Sequence, residues 1–360
     1  MLKYILSFFI VIHGLIHFIG FAKAFNFGTI SQISKEISKP VGLLWLGTAF
    51  LFLFVTILFL LKKEAWMIVG ITAIVISQLL IFAVWKDAKF GTIANIIILV
   101  AVLLNYGSFH FEKSYHKDVH VNLQRTNTLE MDLLTETDLT ALPEPVKRYL
   151  KYAGVVNKPK VKNMRIAFEG QMREKGKDFF PFICEQYNFF DNPTRLFFMK
   201  AKIKGFTVPG YHKYSNANAI MDIRLFGLFS VVKKSGKEMD RAETVTLFND
   251  MCLMAPATLI DKRISWQIIN SSSAKAIFTN DKITISAILY FNEEGQLIDF
   301  ISTDRDVNNN PFSTPVSNYK NLNGINIMTY GETIWHYPDG KFVYGKFNLK
   351  EVEYNVSGMK

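Results

Sequence analysis

Two histidines one helical turn apart are the residues with the clearest capacity for chemistry in the first third of the chain. His13 and His17 lie four positions apart in the apolar segment from Tyr4 to Phe21, so a helix would place both imidazoles on one face. Such a pair can bind a metal or a haem. The next two apolar segments contain no His, Cys, Asp or Glu to complete a site, and His110 is the one nearby candidate. We therefore favour hydrogen bonds between helices, with Gly14 allowing close approach, and expect no cofactor and no metal.

Polar clusters that could support catalysis are few in the rest of the chain. The candidates are Asp304-Arg305-Asp306, Asp261-Lys262-Arg263 and Glu185-Gln186. Paired carboxylates can divide acid and base roles when their environments differ, although surface ion pairs produce the same clusters. GxSxG, HExxH and a phosphate-cradling glycine loop are absent, and His212 and His336 lack a partner in sequence. We expect a non-enzymatic protein, with an uncharacterised hydrolase-like enzyme as one alternative.

The charge and the cysteines favour a membrane setting without disulfide bonds. The net charge of +10 comes mainly from Lys, and such an excess is typical of surfaces near anionic lipid head groups. No basic run interleaved with aromatics appears, so nucleic acid is not an expected partner. Cys184 and Cys252 lie in apolar stretches and are expected to be buried free thiols.

Aromatic and methionine side chains supply the candidate ligand-binding residues. The segments Phe179 to Phe190 and Arg195 to Lys204 are predicted strands rich in Phe, and Glu238 to Ile260 is a predicted helix that Pro256 should break or kink. The apolar stripe of this helix is so wide that the sheet, lipid or a ligand must cover it. Packing in an ordinary core is the competing interpretation. The candidate ligand-binding residues are Phe182, Phe189, Phe198, Phe248, Met251 and Met254.

The elements that position these residues begin with a membrane domain over residues 1–111. Apolar segments at about 4–21, 41–61, 65–85 and 92–109 are each close to the ~20 residues that cross a bilayer core. We therefore predict four transmembrane helices in a multi-pass protein of the cell membrane, with membrane lipids as partners. An even number of spans places both termini on one side. The Lys and Arg bias of the short loops does not decide which side, and we favour the cytoplasm for the soluble domain.

The remainder is predicted to be a polar juxtamembrane linker at 112–140 and a soluble α+β domain at 141–360. A helix from Pro145 to Ala153 ends at Gly154, the residue type that suits a helix C-terminus. Short alternating segments follow, joined by hairpin loops such as Pro338-Asp339-Gly340. This pattern predicts a curled antiparallel sheet or half-barrel with a leading helix and a mid-chain apolar helix.

The segment from Leu142 to Gly154 resembles the opening, LPxPVxRYLxxAG, of an uncharacterised bacterial domain family. The resemblance covers roughly residues 135–356 and continues through Gly170, Gln186, Trp266, Arg305 and Trp335, among others. The family implies no activity. The order of elements also looks like the half-barrels of bacterial lipoprotein carriers, in which a curved sheet wraps helices around an acyl-binding cavity.

These observations favour a membrane-anchored protein that binds a lipid, an acyl chain or a lipoprotein in a β half-barrel. The non-enzymatic alternative is a membrane sensor or assembly module that couples the soluble domain to the helices. Replacing the spans with an unrelated anchor would distinguish the two, because a simple tethered carrier would tolerate that exchange.

Overall fold

The computed structural model describes residues 2–360 and divides the chain into two compact units, Met1–His110 and Phe111–Lys360. The first unit is helical. Its elements are α1 (Leu2–Ile16), α2 (Phe18–Ala24), α3 (Lys39–Leu60), α4 (Ala65–Ala83), α5 (Trp85–Ala88) and the beginning of α6 (Gly91–Asn127). Four stretches are long and apolar enough to cross a membrane, as the sequence predicted: Lys3–Ala24, Lys39–Leu60, Ala65–Ala83 and Gly91–Asn127.

Small residues let the helices of the first unit pack closely. A Cβ atom added to Gly20 would lie 2.2 Å from the Trp45 ring, and one added to Gly14 would lie 2.8 Å from Cβ of Phe52. Both distances are below van der Waals contact, so these positions admit no side chain without displacement. This is the small-residue packing that brings apolar helices together in membranes.

The histidine pair is hydrogen-bonded between these helices. His13 Nε2 lies 2.9 Å from Oδ1 of Asn95 on α6, and His17 Nε2 lies 2.9 Å from Oγ of Ser77 on α4. Asn95 Nδ2 donates to the same Ser77 oxygen at 3.1 Å, and His17 Nδ1 donates to the carbonyl of His13. The pair thus belongs to a buried polar network that joins three helices, in agreement with the hydrogen-bonding interpretation of the sequence.

The second unit is an antiparallel sheet with two α-helices besides the end of α6. The helices are α7 (Glu144–Ala153) and α8 (Lys237–Met254), and short 3-10 turns span Glu136–Leu139 and Pro256–Ile260. Gly154 ends α7 in the left-handed conformation, φ +71°, which glycine adopts without a steric penalty. The strands are β1 (Asn163–Met172), β2 (Phe180–Phe189), β3 (Thr194–Ile203), β4 (Phe206–Ser215), β5 (Asn218–Leu225), β6 (Phe229–Ser235), β7 (Ile264–Asn270), β8 (Ser273–Asn280), β9 (Ile283–Phe291), β10 (Leu297–Ser302), β11 (Phe312–Ser313), β12 (Val316–Ser317), β13 (Lys320–Leu322), β14 (Ile325–Ile327), β15 (Tyr330–Tyr337) and β16 (Gly340–Tyr354).

The main sheet is open and strongly curled. Its strand order is β6-β5-β4-β3-β2-β1-β16-β15-β11-β10-β9-β8-β7, with β12 paired to β15, and β13 and β14 form a separate hairpin. Helix α8 contacts β4, β5 and β6 on one side and β9 and β10 on the other. Strands β4 and β10 would be about 33 Å apart in a flat sheet with the usual strand spacing, so the sheet must curl around the helix. The antiparallel half-barrel with a mid-chain apolar helix is confirmed.

The outer face of the sheet is covered by the end of α6. Phe111, Tyr115, Val119 and Leu123 recur every four residues along one helix face and pack on Tyr187, Phe189, Leu196, Phe198 and Tyr211. Tyr211 donates to Asp118 at 2.7 Å, and Lys200 donates to Glu112 at 2.6 Å. The expected linker at 112–140 is therefore helical as far as Asn127, because this segment has an apolar face that the sheet covers.

Candidate ligand-binding site

A cavity of about 540 Å³ lies inside the curl of the sheet, beside α8. The helix packs on strands from the two ends of the sheet, so the middle strands β1, β15 and β16 face this space and contribute to its wall. Its volume falls in the range of pockets that bind small molecules.

Most of the cavity wall is apolar. Aromatic, methionine and leucine side chains from β1, β3, β5, α8, β11, β15, β16 and the loops between them form it. They are Phe168, Met172, Phe197, Met221, Leu253, Met254, Phe312, Met328, Trp335, Tyr344 and Phe347. Unbranched methionines can adapt to ligands of different shape. A wall of this composition suits an alkyl chain better than a polar metabolite.

One side of the cavity carries a buried ionic network centred on Arg195 of β3. Its guanidinium donates from Nε to Asp250 at 2.8 Å, from Nη1 to Glu243 at 3.1 Å and from Nη2 to Gln186 at 2.9 Å. Gln186 and Asn188 also donate to Oδ2 of Asp250. The side chains of Arg195, Glu243 and Asp250 are at most 8% exposed. Breaking a buried ion pair of this kind is costly, because removing one partner leaves the charge of the other uncompensated.

The electrostatics of the network favour an ionised Glu243. Burial acts to raise the pKa of Glu243, but the positive charge of Arg195, with help from His212 at 3.6 Å, outweighs it and lowers that pKa to about 2. All three nitrogens of the Arg195 guanidinium are occupied by these partners. The network therefore fixes α8 to the sheet and has little capacity left to bind a ligand anion.

A second arginine, Arg305, lies against the aromatic part of the wall. The centre of its guanidinium is 4.1 Å from the centroid of the Phe312 ring and 5.5 Å from that of Trp335. Its Nη1 donates to the Tyr344 hydroxyl at 2.6 Å, while its buried Nε has no hydrogen-bond partner. Cation–π contacts thus hold this positive charge at the cavity with part of its hydrogen-bonding capacity unused.

The six residues proposed from the sequence as ligand-binding lie in three environments. Met254 lines the cavity. Phe182, Phe248 and Met251 belong to the hydrophobic core of the second unit, where Phe182 packs on Phe347 and Phe248 stacks on Phe278. Phe189 and Phe198 lie on the outer face, under α6.

The polar clusters proposed as catalytic are dispersed. Glu185 pairs with Arg165 at 2.7 Å, and Asp261 pairs with Arg263. Gln186, His212 and Arg305 do reach the cavity. The other conspicuous histidine, His336, lies 2.7 Å from the hydroxyl of Ser313.

Neither cysteines nor carboxylates assemble a metal site in the part of the chain that the structure describes. Cys184 and Cys252 are both buried free thiols. Burial raises the pKa of the Cys184 thiol to about 12, so the protonated, unreactive form prevails at neutral pH. No group of three or more metal-ligating side chains occurs among residues 2–360.

Sequence reasoning did not single out Arg195, Glu243 or Asp250. A signal was present, because Glu243 and Asp250 are seven positions apart and therefore share one face of α8, on which Leu247, Leu253 and Met254 also lie. Acidic residues with such apolar neighbours imply a buried cationic partner, but they do not say which of the many Arg and Lys residues supplies it.

Comparisons with known proteins place the second unit in a family. A model of a family of unknown function (DUF6544) matches residues 132–347, more than half of the chain, and the chain belongs to that family. No curated protein matches it significantly.

Two solved structures are distantly similar. One is a LolA superfamily protein from Nitrosomonas europaea, with 8% identity, a TM-score of 0.37, and coverage of 58% of this chain and 93% of the other. The second is a domain assigned as an outer membrane lipoprotein-sorting protein from Vibrio parahaemolyticus, with 10% identity, a TM-score of 0.36, and coverage of 62% and 94%.

Proposed function

We propose that this member of the DUF6544 family is a membrane-anchored, non-enzymatic protein that binds the acyl chain of a lipid or lipoprotein in the cavity beside α8. The observation that carries the proposal is the cavity itself, with about 540 Å³ of space and a wall dominated by aromatic and methionine side chains. Relative to the ligand in water, an alkyl chain covered by this wall is stabilised by about 25 cal/mol per Å² of apolar surface buried.

The apolar helices support the same proposal. Three stretches of the first unit, and a fourth that begins in it, have the length and composition of membrane spans. We propose a multi-pass arrangement in the cell membrane with the second unit in the cytoplasm. A binder anchored in this way meets its ligand at the high local concentration of the bilayer. Membrane lipids are then both its surroundings and its ligand source.

Filling the cavity tests the proposal. Met172 of β1 lines the cavity and is only partly buried, whereas the adjacent Gln171 is exposed and points to the opposite face of the strand. Met172→Trp should occupy the space that an acyl chain needs, and Gln171→Trp adds the same side chain to the same strand without entering it.

The measurement is native mass spectrometry of the full chain released from lipid nanodiscs. We expect wild type and Gln171→Trp to retain a lipid adduct. In Met172→Trp the abundance of this adduct should fall by at least about tenfold. An adduct that is equally abundant in all three proteins would place the lipid elsewhere. The absence of any adduct, with lipid supplied in excess, would refute acyl-chain binding.

A further inference from the structure

We infer that the ligand of this cavity is a single-chain amphiphile with an anionic head group, a carboxylate or a phosphate, and that Arg305 and Lys234 bind that head. The inference rests on the proposed function and narrows it to one chemical class of ligand. Its basis is a positive charge without a salt-bridge partner at the edge that the apolar cavity shares with a charged surface depression.

Arg305 is the central observation. Three aromatic rings surround its guanidinium, and its buried Nε has no hydrogen-bond partner. Of the adjacent carboxylates, Asp304 pairs with Arg241, and Asp306 accepts a bond from Asn310. No carboxylate forms a salt bridge with Arg305 in the described part of the chain; the charge of Arg305 does act on Glu243 across the cavity, where it helps to lower the pKa of that carboxyl. A partly desolvated guanidinium of this kind gains a strong, charge-assisted bond from an anion.

The surface depression that adjoins the cavity beside Arg305 has an excess of positive charge. Lys234 and Arg305 line both the apolar cavity and an adjoining depression at the beginning of α8. The cations around this depression are Lys233, Lys234, Lys237, Arg241 and Arg305. Its carboxylates are Glu238, Asp304 and Asp306, of which Asp304 is already neutralised by Arg241. The remaining positive charge attracts anions towards this edge of the cavity.

The rest of the cavity orients such a ligand. Near Arg195, two carboxylates face one guanidinium whose nitrogens are all bonded, so an anion is unfavourable there. Glu174 is the other carboxylate in the wall, and it pairs with Lys177. The apolar side chains of the central strands accept an alkyl chain instead. The head therefore lies at Arg305 and Lys234, with the chain directed along the aromatic and methionine wall.

The test uses the full chain in nanodiscs of zwitterionic lipid and four photoreactive dodecyl probes that share one diazirine position. Their head groups are a carboxylate, a phosphate, a hydroxyl and a trimethylammonium. After irradiation, peptide mass spectrometry measures labelling of cavity peptides, such as those containing Met254 or Phe347. Labelling of peptides from the apolar helices of the first unit corrects each probe for its partition into the bilayer.

Three variants separate the contribution of each cation. Arg305→Gln removes the enclosed charge, and Arg305→Lys keeps a charge without the planar donor. Lys234→Glu reverses a charge at an exposed position. Lys282→Gln, at the exposed turn between β8 and β9, is the control for a general loss of positive charge.

We expect the corrected labelling by an anionic probe to exceed that by the hydroxyl probe by about tenfold, and to fall by about as much in Arg305→Gln and Lys234→Glu. The ratio of carboxylate to phosphate labelling identifies which anion is preferred. Equal labelling by all four heads, or no effect of either substitution, would overturn the inference and leave acyl-chain binding intact. Failure of every probe to label the cavity would instead refute the proposed function.

Discussion

Glu243→Gln removes charge from the buried network while keeping the shape of the side chain. In the wild type, Glu243 is 5% exposed and faces Arg195 and His212. Its pKa lies at about 2 in the folded chain against an ordinary value of 4.5. That difference corresponds to about 3 kcal/mol of free energy of unfolding at neutral pH. We expect the variant to lose up to this amount, because Arg195 then has one carboxylate where it had two.

Hydrogen exchange followed by mass spectrometry measures the loss where it occurs, in the intact chain. In the regime where exchange reports the opening equilibrium, about 3 kcal/mol corresponds to roughly a hundredfold faster exchange. We expect this acceleration in the peptides of β3 and α8 that contain Arg195, Glu243 and Asp250. Glu238 is an exposed glutamate on the same helix, and Glu238→Gln is the control. It should change the free energy of opening by less than about 0.5 kcal/mol.

The effect also has a defined pH dependence. The pKa of Glu243 is lower in the folded than in the unfolded state, so its contribution is fully present above about pH 4.5 and is lost as the pH falls towards 2. After correction for intrinsic exchange rates, the difference between wild type and Glu243→Gln should therefore shrink over this interval. If Glu243→Gln exchanges as slowly as Glu238→Gln at neutral pH, the stabilising role of the network is refuted. The same holds if the difference in exchange between wild type and Glu243→Gln stays constant down to pH 2.

Three further predictions concern packing and topology. Gly170→Ala should destabilise the second unit by about 2 kcal/mol, because the added Cβ would lie 2.1 Å from the Lys346 carbonyl oxygen on β16; Gly358→Ala, with no atom within 4 Å, is the control in thermal unfolding. Gly20→Ala should lower the melting temperature of the detergent-solubilised chain, since its Cβ would meet the Trp45 ring at 2.2 Å, whereas Gly47→Ala in open space should not. A fluorescent reporter that matures only in the cytoplasm, fused after Lys360, should be bright. A dark fusion, combined with activity of a fused phosphatase that works only outside the cytoplasm, would contradict the proposed orientation.

The sequence predicted the curled antiparallel sheet, but β4 to β6 are among the strands that it did not predict. Pro209 lies inside β4, and a proline normally argues against a strand. The turn between β4 and β5 is formed by Asn216 and Ala217, both with φ above +50°. Such a hairpin usually contains glycine at its second position, so this turn had no clear signature. Strand pairing with β3 decided the conformation of this region.

The alternation of side chains along a strand shows that two faces exist, but it does not identify which face lines a cavity. Phe197 and Phe198 are adjacent and similar in sequence, yet Phe197 lines the cavity and Phe198 packs under α6. The choice depends on where α6 and α8 dock. Because that docking is tertiary, the candidate list from the sequence included Phe198 and omitted Phe197.

The sequence by itself determined the division of the chain into apolar helices and a β-rich unit, together with a mid-chain helix that is interrupted near Pro256. These features depend on the length and period of hydrophobic residues, which are properties of neighbouring positions. Only the tertiary structure decided the cavity and its charges. Arg195, Glu243 and Arg305 come from β3, α8 and the loop after β10, and no local pattern couples positions so far apart. Their meeting follows from the curl of the sheet around α8, which buries a charge that the sequence alone would place on a surface.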